Sequence, residues 1–151
     1  ERGRIAVEVV AAGLTFRDVL NVLGEYPGDP GPPGGDCAGV VAACGDEVSH
    51  LSPGDHACGY AHAPLASAAQ GLALLLARTT RSLCFEEACT LPILWNTIEL
   101  AFAEIAKLAV SQTVLIHAIT GGVGLVALEF AQRVGAVVSG SVGRPSKVMQ
   151  M

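Results

Sequence analysis

Gly121, Gly122 and Gly124 stand at a spacing that can bind phosphate. From Ala118 the pattern runs A-x-x-G-x-x-G through Gly121 to Gly124, within the turn Thr120-Gly121-Gly122-Val123-Gly124. Glycines at such a turn let the backbone approach a pyrophosphate. The phosphates then meet the free N–H groups and the positive dipole end of the following helix. The pattern acquires meaning from its context, after a strand and before a helix. TVLIHA (Thr113–Ala118) is a short apolar, β-branched run, as expected of a buried strand. Leu125, Leu128, Ala131 and Gln132 then fall at helical spacing, and Gly135 stands where a helix stop belongs. AVVSGSV (Ala136–Val142) reads as a second strand, so Thr113–Lys147 forms one strand–turn–helix–strand unit. The plain alternative is a glycine-rich turn between core elements that binds nothing.

The end of that second strand carries further chemistry. A site for NAD places Asp or Glu about 20 residues after the glycines, on the ribose hydroxyls. This chain has no Asp or Glu after Glu129, and offers Ser141, Arg144, Ser146 and Lys147 instead. Two cations and two hydroxyls suit a 2′-phosphate, because charge-assisted hydrogen bonds to phosphate are strong. The cofactor expected is therefore NADPH rather than NADH. A basic loop facing water is the alternative.

The elements that must position these groups follow from composition and pattern. The chain has 151 residues, a formal charge of −5, 51% apolar residues and only 5% aromatics. Its core must come from Ala, Val, Leu and Ile, and it is not a disordered composition. The mild acidity argues against a nucleic-acid partner. Five cysteines, an odd number with no C-x-x-C, argue against a disulfide framework or structural zinc and point to a reducing, cytoplasmic setting. Ala57–Ala77 is the most membrane-like stretch, but His62, Pro64, Ser67 and Gln70 interrupt it, so no membrane span is expected. Arg4–Ala11, Cys37–Ala43 and His56–Tyr60 read as strands, Leu14–Leu23 as a short helix with Phe16, Val19, Leu20 and Leu23 on one face, and Gly28–Gly35 as a loop. Gly71–Ala77 is apolar and of ambiguous type. Short strands between Gly and Pro turns suggest a small β-barrel or sandwich. A helical stretch opens at Phe85–Ala88 and is interrupted at Pro92; Thr97–Leu108 is then amphipathic, with Ile98, Ala101, Phe102, Ile105 and Leu108 on one face. The expected domains are residues 1–93 and 94–151. One βαβ unit cannot cover both faces of a parallel sheet, so the chain is expected to be a truncated piece of something larger.

AAGLTFRDVL (Ala11–Leu20), GEYPG (Gly24–Gly28), GGDCAGVV (Gly34–Val41), PGDHACG (Pro53–Gly59), FEEACTLP (Phe85–Pro92) and HAITGGVG (His117–Gly124) occur in this order over nearly the whole chain. Together they resemble the zinc-independent medium-chain dehydrogenase/reductase superfamily. The likeness is closest to the enoyl reductase domains of type I polyketide and fatty acid synthases, with quinone oxidoreductases less close. The resemblance implies an α/β chain: a GroES-like, β-rich barrel domain, then the start of a Rossmann, doubly wound parallel nucleotide-binding domain. It also implies NADPH-dependent reduction of an α,β-enoyl thioester held on an acyl carrier protein, with other synthase domains as partners, and it admits a homodimer.

Carried onto this sequence, the resemblance assigns Thr120, Gly121, Gly122, Val123 and Gly124 to the pyrophosphate, and Ser141, Arg144 and Lys147 to the 2′-phosphate. Thr97 matches a threonine near the nicotinamide. Thr15 and Phe16 lie on the substrate side. Tyr26 matches a tyrosine linked to protonation of the α-carbon; a phenol carries a proton it can donate, and packing of a loop aromatic on the barrel is the equal alternative. Thr15 replaces the family's usual Asn, and Asp36 replaces its usual Glu. Gly35 occupies the place of a zinc ligand in zinc-dependent relatives, so no metal is expected. His117 reads as a satisfied core residue, and Cys37 and Cys58 as small buried thiols. Two other readings stand beside the reductase: a non-catalytic or truncated scaffold module of a synthase, and a free-standing NADPH:quinone oxidoreductase.

Overall fold

The structure is a computed structural model describing residues 2–80 and 82–143. It divides into two compact units between Ile93 and Leu94.

In the first unit, β1 (Arg4–Ala12), β2 (Asp36–Cys44), β3 (His56–Tyr60), β4 (Ala68–Leu72) and β5 (Leu76–Arg78) form one antiparallel sheet in the order β4-β1-β2-β3-β5. Its two edge strands are neighbours in sequence, joined by a single 3-10 turn at Ala73–Leu75. The sheet must therefore curl until its edges approach, and His62 bridges to Gln70 beside β4. The expected barrel or sandwich is a half-barrel of this kind, and the ambiguous stretch Gly71–Ala77 is its closing corner. Alternation along the strands turns Ile5, Val7, Val41, Ala57 and Leu76 inward, where they meet Leu51. Burying side chains of this size stabilises by about 1.5–3 kcal/mol each. Register shifts in β1 at Ala6/Val7 and Val9/Ala11 bend it over this core. At that crossing a Cβ on Gly39 would lie 2.0 Å from the Glu8 carbonyl oxygen, so β2 needs glycine there.

The helix expected at Leu14–Leu23 is α1 (Phe16–Leu23), but it is turned the other way. Phe16, Val19 and Leu23, read as its inner face, are 75%, 48% and 63% exposed, while Asp18 is buried. The polar residues win because they tie down the Pro/Gly loop. Asn21 Nδ2 donates to the Gly31 carbonyl at 2.9 Å, Arg17 Nη2 donates to the Pro30 carbonyl, and the Gly34 amide donates to Asp18 Oδ1 at 2.7 Å. The loop is pinned rather than a free linker. α2 (Phe85–Ala88) then packs Ala88 with Cys89 against Ala38 of β2.

α3 (Pro92–Ile98) starts with proline at its first helical position, where a missing N–H costs nothing. It runs straight into a seven-residue π-helix, Glu99–Ile105. The helix thus begins earlier than Thr97, and its face differs from the expected one. Bonds from i to i+5 widen each turn, so Ile98 and Phe102 face the core while Ile105 is 73% exposed. β6 (Thr113–Ile116), α4 (Gly122–Val134) and β7 (Val137–Gly140) complete the second unit. β6 and β7 pair in parallel, Thr113 with Val137 through Ile116 with Gly140. β6 is two residues shorter than TVLIHA suggests. In α4 the inner residues are Gly124, Val126, Ala127 and Ala131, whereas Leu125 is 50% exposed and Gln132 is exposed. Small residues at 124, 127 and 131 let the helix settle close to the strands. Gly135 ends α4 in the left-handed region at φ 81°, its amide bonding to the Ala131 and Gln132 carbonyls. Among the described residues no helix is long and apolar enough to cross a membrane.

Candidate functional site

The second unit gathers the glycine turn and Ser141 at the carboxyl end of β6 and β7. After Ile116 the chain turns through His117 and Ala118, whose φ of 52° lies in the left-handed region. Three backbone bonds fix this turn: Gly121 N to Ala118 O at 2.8 Å, Ile119 N to Ser141 O at 3.1 Å, and Ser141 N to Ile116 O at 3.0 Å. Gly121 is the N-cap of α4, in extended conformation and with no side-chain cap. Among the described residues, the first-turn amides at Gly122, Val123 and Gly124 therefore meet no capping group. A Cβ on Gly124 would lie 2.5 Å from the Ala118 carbonyl oxygen and 2.7 Å from the Ile119 backbone. Glycine is what allows the helix to start this close to the turn.

A cavity of about 440 Å³ opens over these amides, with Val123 and His117 in its wall and Ile98 and Phe102 contributed by the preceding helix. Thr97 lies on that helix, beside Ile98. Thr120 is half-buried, next to the N-cap. An anion with an extended backbone contact suits this cradle: uncapped amides, a helix of 13 residues behind them and, among the described residues, no side chain bonded to them. The donor set fits the pyrophosphate of a dinucleotide.

Ser141 directly follows β7 and lies 20 residues after Gly121, where NAD-type sites carry an acidic side chain. Its Oγ is 2.9 Å from His117 Nδ1. His117 is exposed and belongs to this pair; it is not the core residue expected from the apolar run, because the strand ends before it. Arg144, Ser146 and Lys147 lie outside the described residues.

In the first unit, Thr15 caps α1 through Asp18. Thr15 N and Thr15 Oγ1 each donate to Asp18 Oδ2 at 2.7 Å. Burial pushes the Asp18 carboxyl up, but its bonds from Thr15 and Gly34 and the Arg17 charge outweigh it, and it ends below the usual range. Phe16 follows Thr15 into the solvent-facing side of α1. Tyr26 is half-buried in the loop after α1, with the Arg17 guanidinium 5.9 Å from its ring centre. Asp36 is a second buried carboxylate. Its Oδ2 accepts from the Ile93 amide at 3.2 Å, and its Oδ1 has no partner among the described residues. Burial first, then the Asp18 charge, raises it to about 6 despite the Ile93 bond. Cys37 is pushed up to about 11 by burial and by Asp36, and Cys58 rises for the same reasons, so both are held as thiols. At Gly35 a Cβ would lie 2.5 Å from the Tyr60 ring, which fills the space a metal-binding side chain would need. Asp18 carries no motif in the sequence, and His117 resembles a core residue there. The glycine turn itself was the available signal for His117, since it marks where the preceding strand must stop.

Comparison with known proteins agrees with this architecture. Residues 1–118 match the alcohol dehydrogenase GroES-like domain. Erythronolide synthase EryA2 of Saccharopolyspora erythraea is 40% identical over 145 residues, covering 96% of this chain and 4% of the synthase. The crystal structure of CurK enoyl reductase superposes with a TM-score of 0.89 at 33% identity, covering 99% of this chain and 48% of that one. Escherichia coli quinone oxidoreductase complexed with NADPH gives 0.82 at 29%, covering 98% and 47%. The chain thus spans about half the length of the solved reductases and a small part of the synthases. It belongs to the alcohol dehydrogenase GroES-like family of the medium-chain dehydrogenase/reductase superfamily. Its relatives are type I polyketide synthases, and its structural neighbours are oxidoreductases.

Proposed function

We propose that the chain is part of an NADPH-dependent enoyl reductase domain of a polyketide or fatty acid synthase, acting on an α,β-unsaturated thioester on an acyl carrier protein. The observation that carries this reading is the uncapped start of α4 beneath its cavity, in a chain related to synthases and reductases. When bound, NADPH would supply the hydride that reduces the β-carbon of the thioester. The amides of Gly121, Gly122, Val123 and Gly124, with Thr120 beside them, bind the pyrophosphate. Ser141, Arg144 and Lys147 bind the 2′-phosphate, and Thr97 orients the nicotinamide end. Thr15 and Phe16 line the substrate side, and Tyr26 delivers a proton to the α-carbon. In this reading the protein's contribution is positioning and stabilisation of the enolate charge. The domains are residues 1–93 for substrate and 94–151 for cofactor, and the neighbouring partners are other synthase domains.

Fluorescence titration with NADPH and NADH tests the cofactor assignment. NADPH should bind at least about tenfold more tightly, as expected where cations meet an extra phosphate. Absence of binding by either dinucleotide would sink the reading. A quinone reductase is the second reading, favoured by the likeness to the quinone oxidoreductase. Turnover of a carrier-bound enoyl thioester against turnover of a quinone separates the two.

A further inference from the structure

We propose that His117 governs cofactor choice through Ser141: the proton state of the imidazole decides whether the serine hydroxyl offers a hydrogen or a lone pair to the ribose 2′ position. The inference rests on the reading of this site as a dinucleotide site. Ile116 and Gly140 are the last paired residues of the parallel ladder, so His117 and Ser141 are the next residues beyond its carboxyl edge. His117 lines the cavity over the glycine turn, and its Nδ1 shares a 2.9 Å hydrogen bond with Ser141 Oγ.

One hydrogen lies between those two atoms. When the imidazole is neutral with its hydrogen on Nε2, Nδ1 accepts the serine hydrogen. Ser141 then presents only lone pairs, which suit the O–H of an unmodified ribose. When the imidazole is protonated, Nδ1–H donates to Oγ. The serine hydrogen is released to bond a phosphate oxygen, and a positive charge stands next to it. The ligand class so favoured is a 2′-phosphorylated adenine dinucleotide.

Few other groups compete for this role. β6 and β7 carry no titratable side chain. In α4, Glu129 and Arg133 pair with each other. On the helix before β6, Glu99 and Glu104 are exposed. Arg144 and Lys147 lie outside the described residues.

The test measures the affinities of NADPH and NADH in the full protein between about pH 5.5 and 8.5. The wild type is compared with His117→Gln, which keeps a hydrogen-bonding side chain but does not titrate, and with Ser141→Ala. The second ionisation of the free 2′-phosphate, near pH 6, is common to all three titrations and cancels in the ratio of wild type to variant. That ratio should rise roughly tenfold in favour of the wild type as pH falls, with NADH little changed. Ser141→Ala should abolish the rise. Parallel curves for wild type and His117→Gln, or a rise that persists in Ser141→Ala, overturn the role of His117 while leaving the NADPH reading intact. Failure of the wild type to bind either dinucleotide overturns both. Should His117→Gln not fold, His117→Asn takes its place in the same ratio.

Discussion

α1 and α4 each follow a strand of their own unit, and they begin in opposite ways. At the start of α1 the Asp18 carboxylate takes the Thr15 amide, the Thr15 hydroxyl and the Gly34 amide, so the turn is closed on itself. At the start of α4 the cap is Gly121, which has no side chain to offer, and a cavity stands over the amides. A closed start uses its dipole on its own chain and gives stability. An open start leaves its dipole for a visitor and gives binding. α3 shares something of each: the Ile93 amide in its first turn donates to Asp36, whose second oxygen has no partner among the described residues.

The contrast can be broken most forcefully at Asp18. Asp18→Ala strands two backbone amides in a buried place and should destabilise the chain by about 3 kcal/mol, read by chemical denaturation. Because the folded carboxyl lies below its usual range, the stability it contributes is present at neutral pH and is lost as pH falls through that lowered value.

Asp36 sharpens the comparison with the opposite sign. Its folded value of about 6 lies above that of an unfolded aspartate, so its contribution is intact below about pH 4 and is lost as pH rises through about 6. Asp36→Asn should raise stability at pH 7 by on the order of 2 kcal/mol and change it little at pH 4. Thermal melts at the two pH values check this, and an equal shift at both would remove ionisation as the cause. The smallest effect on stability belongs to α4. Gly121→Asp supplies the missing cap; stability should change by no more than about 0.5 kcal/mol, while NADPH affinity should fall at least about tenfold from the added negative charge. Equal binding by this variant would mean that the open amides do not meet the phosphates.

Much of this was legible in the sequence where local chemistry decides. β1, β2 and β3 appear within a residue or two of where β-branched runs and turn residues put them, and Gly135 stops α4 as expected. The nucleotide unit was legible because strand, glycine turn and helix lie in a row. The misreadings come from contacts that no local pattern encodes. The helical period of Phe16, Val19 and Leu23 was real, but bonds from Arg17, Asp18 and Asn21 to a loop about ten to sixteen residues away turned the helix over. The π winding after Ile98 moved Ile105 outward, and hydropathy carries no sign of a change in pitch. His117 seemed part of an apolar strand because its partner, Ser141, stands 24 residues on.

One consequence follows from Ala118. A side chain at φ 52° is strained by about 1 kcal/mol relative to the right-handed alternative. That residue is kept there by the backbone bonds that tie it to Gly121 and its neighbours to Ser141. The turn is thus over-determined by its own chain and has its shape before any dinucleotide arrives. If the turn holds a dinucleotide as proposed, binding loses little conformational entropy, and association should approach the rate of a rigid receptor rather than wait for a loop to order.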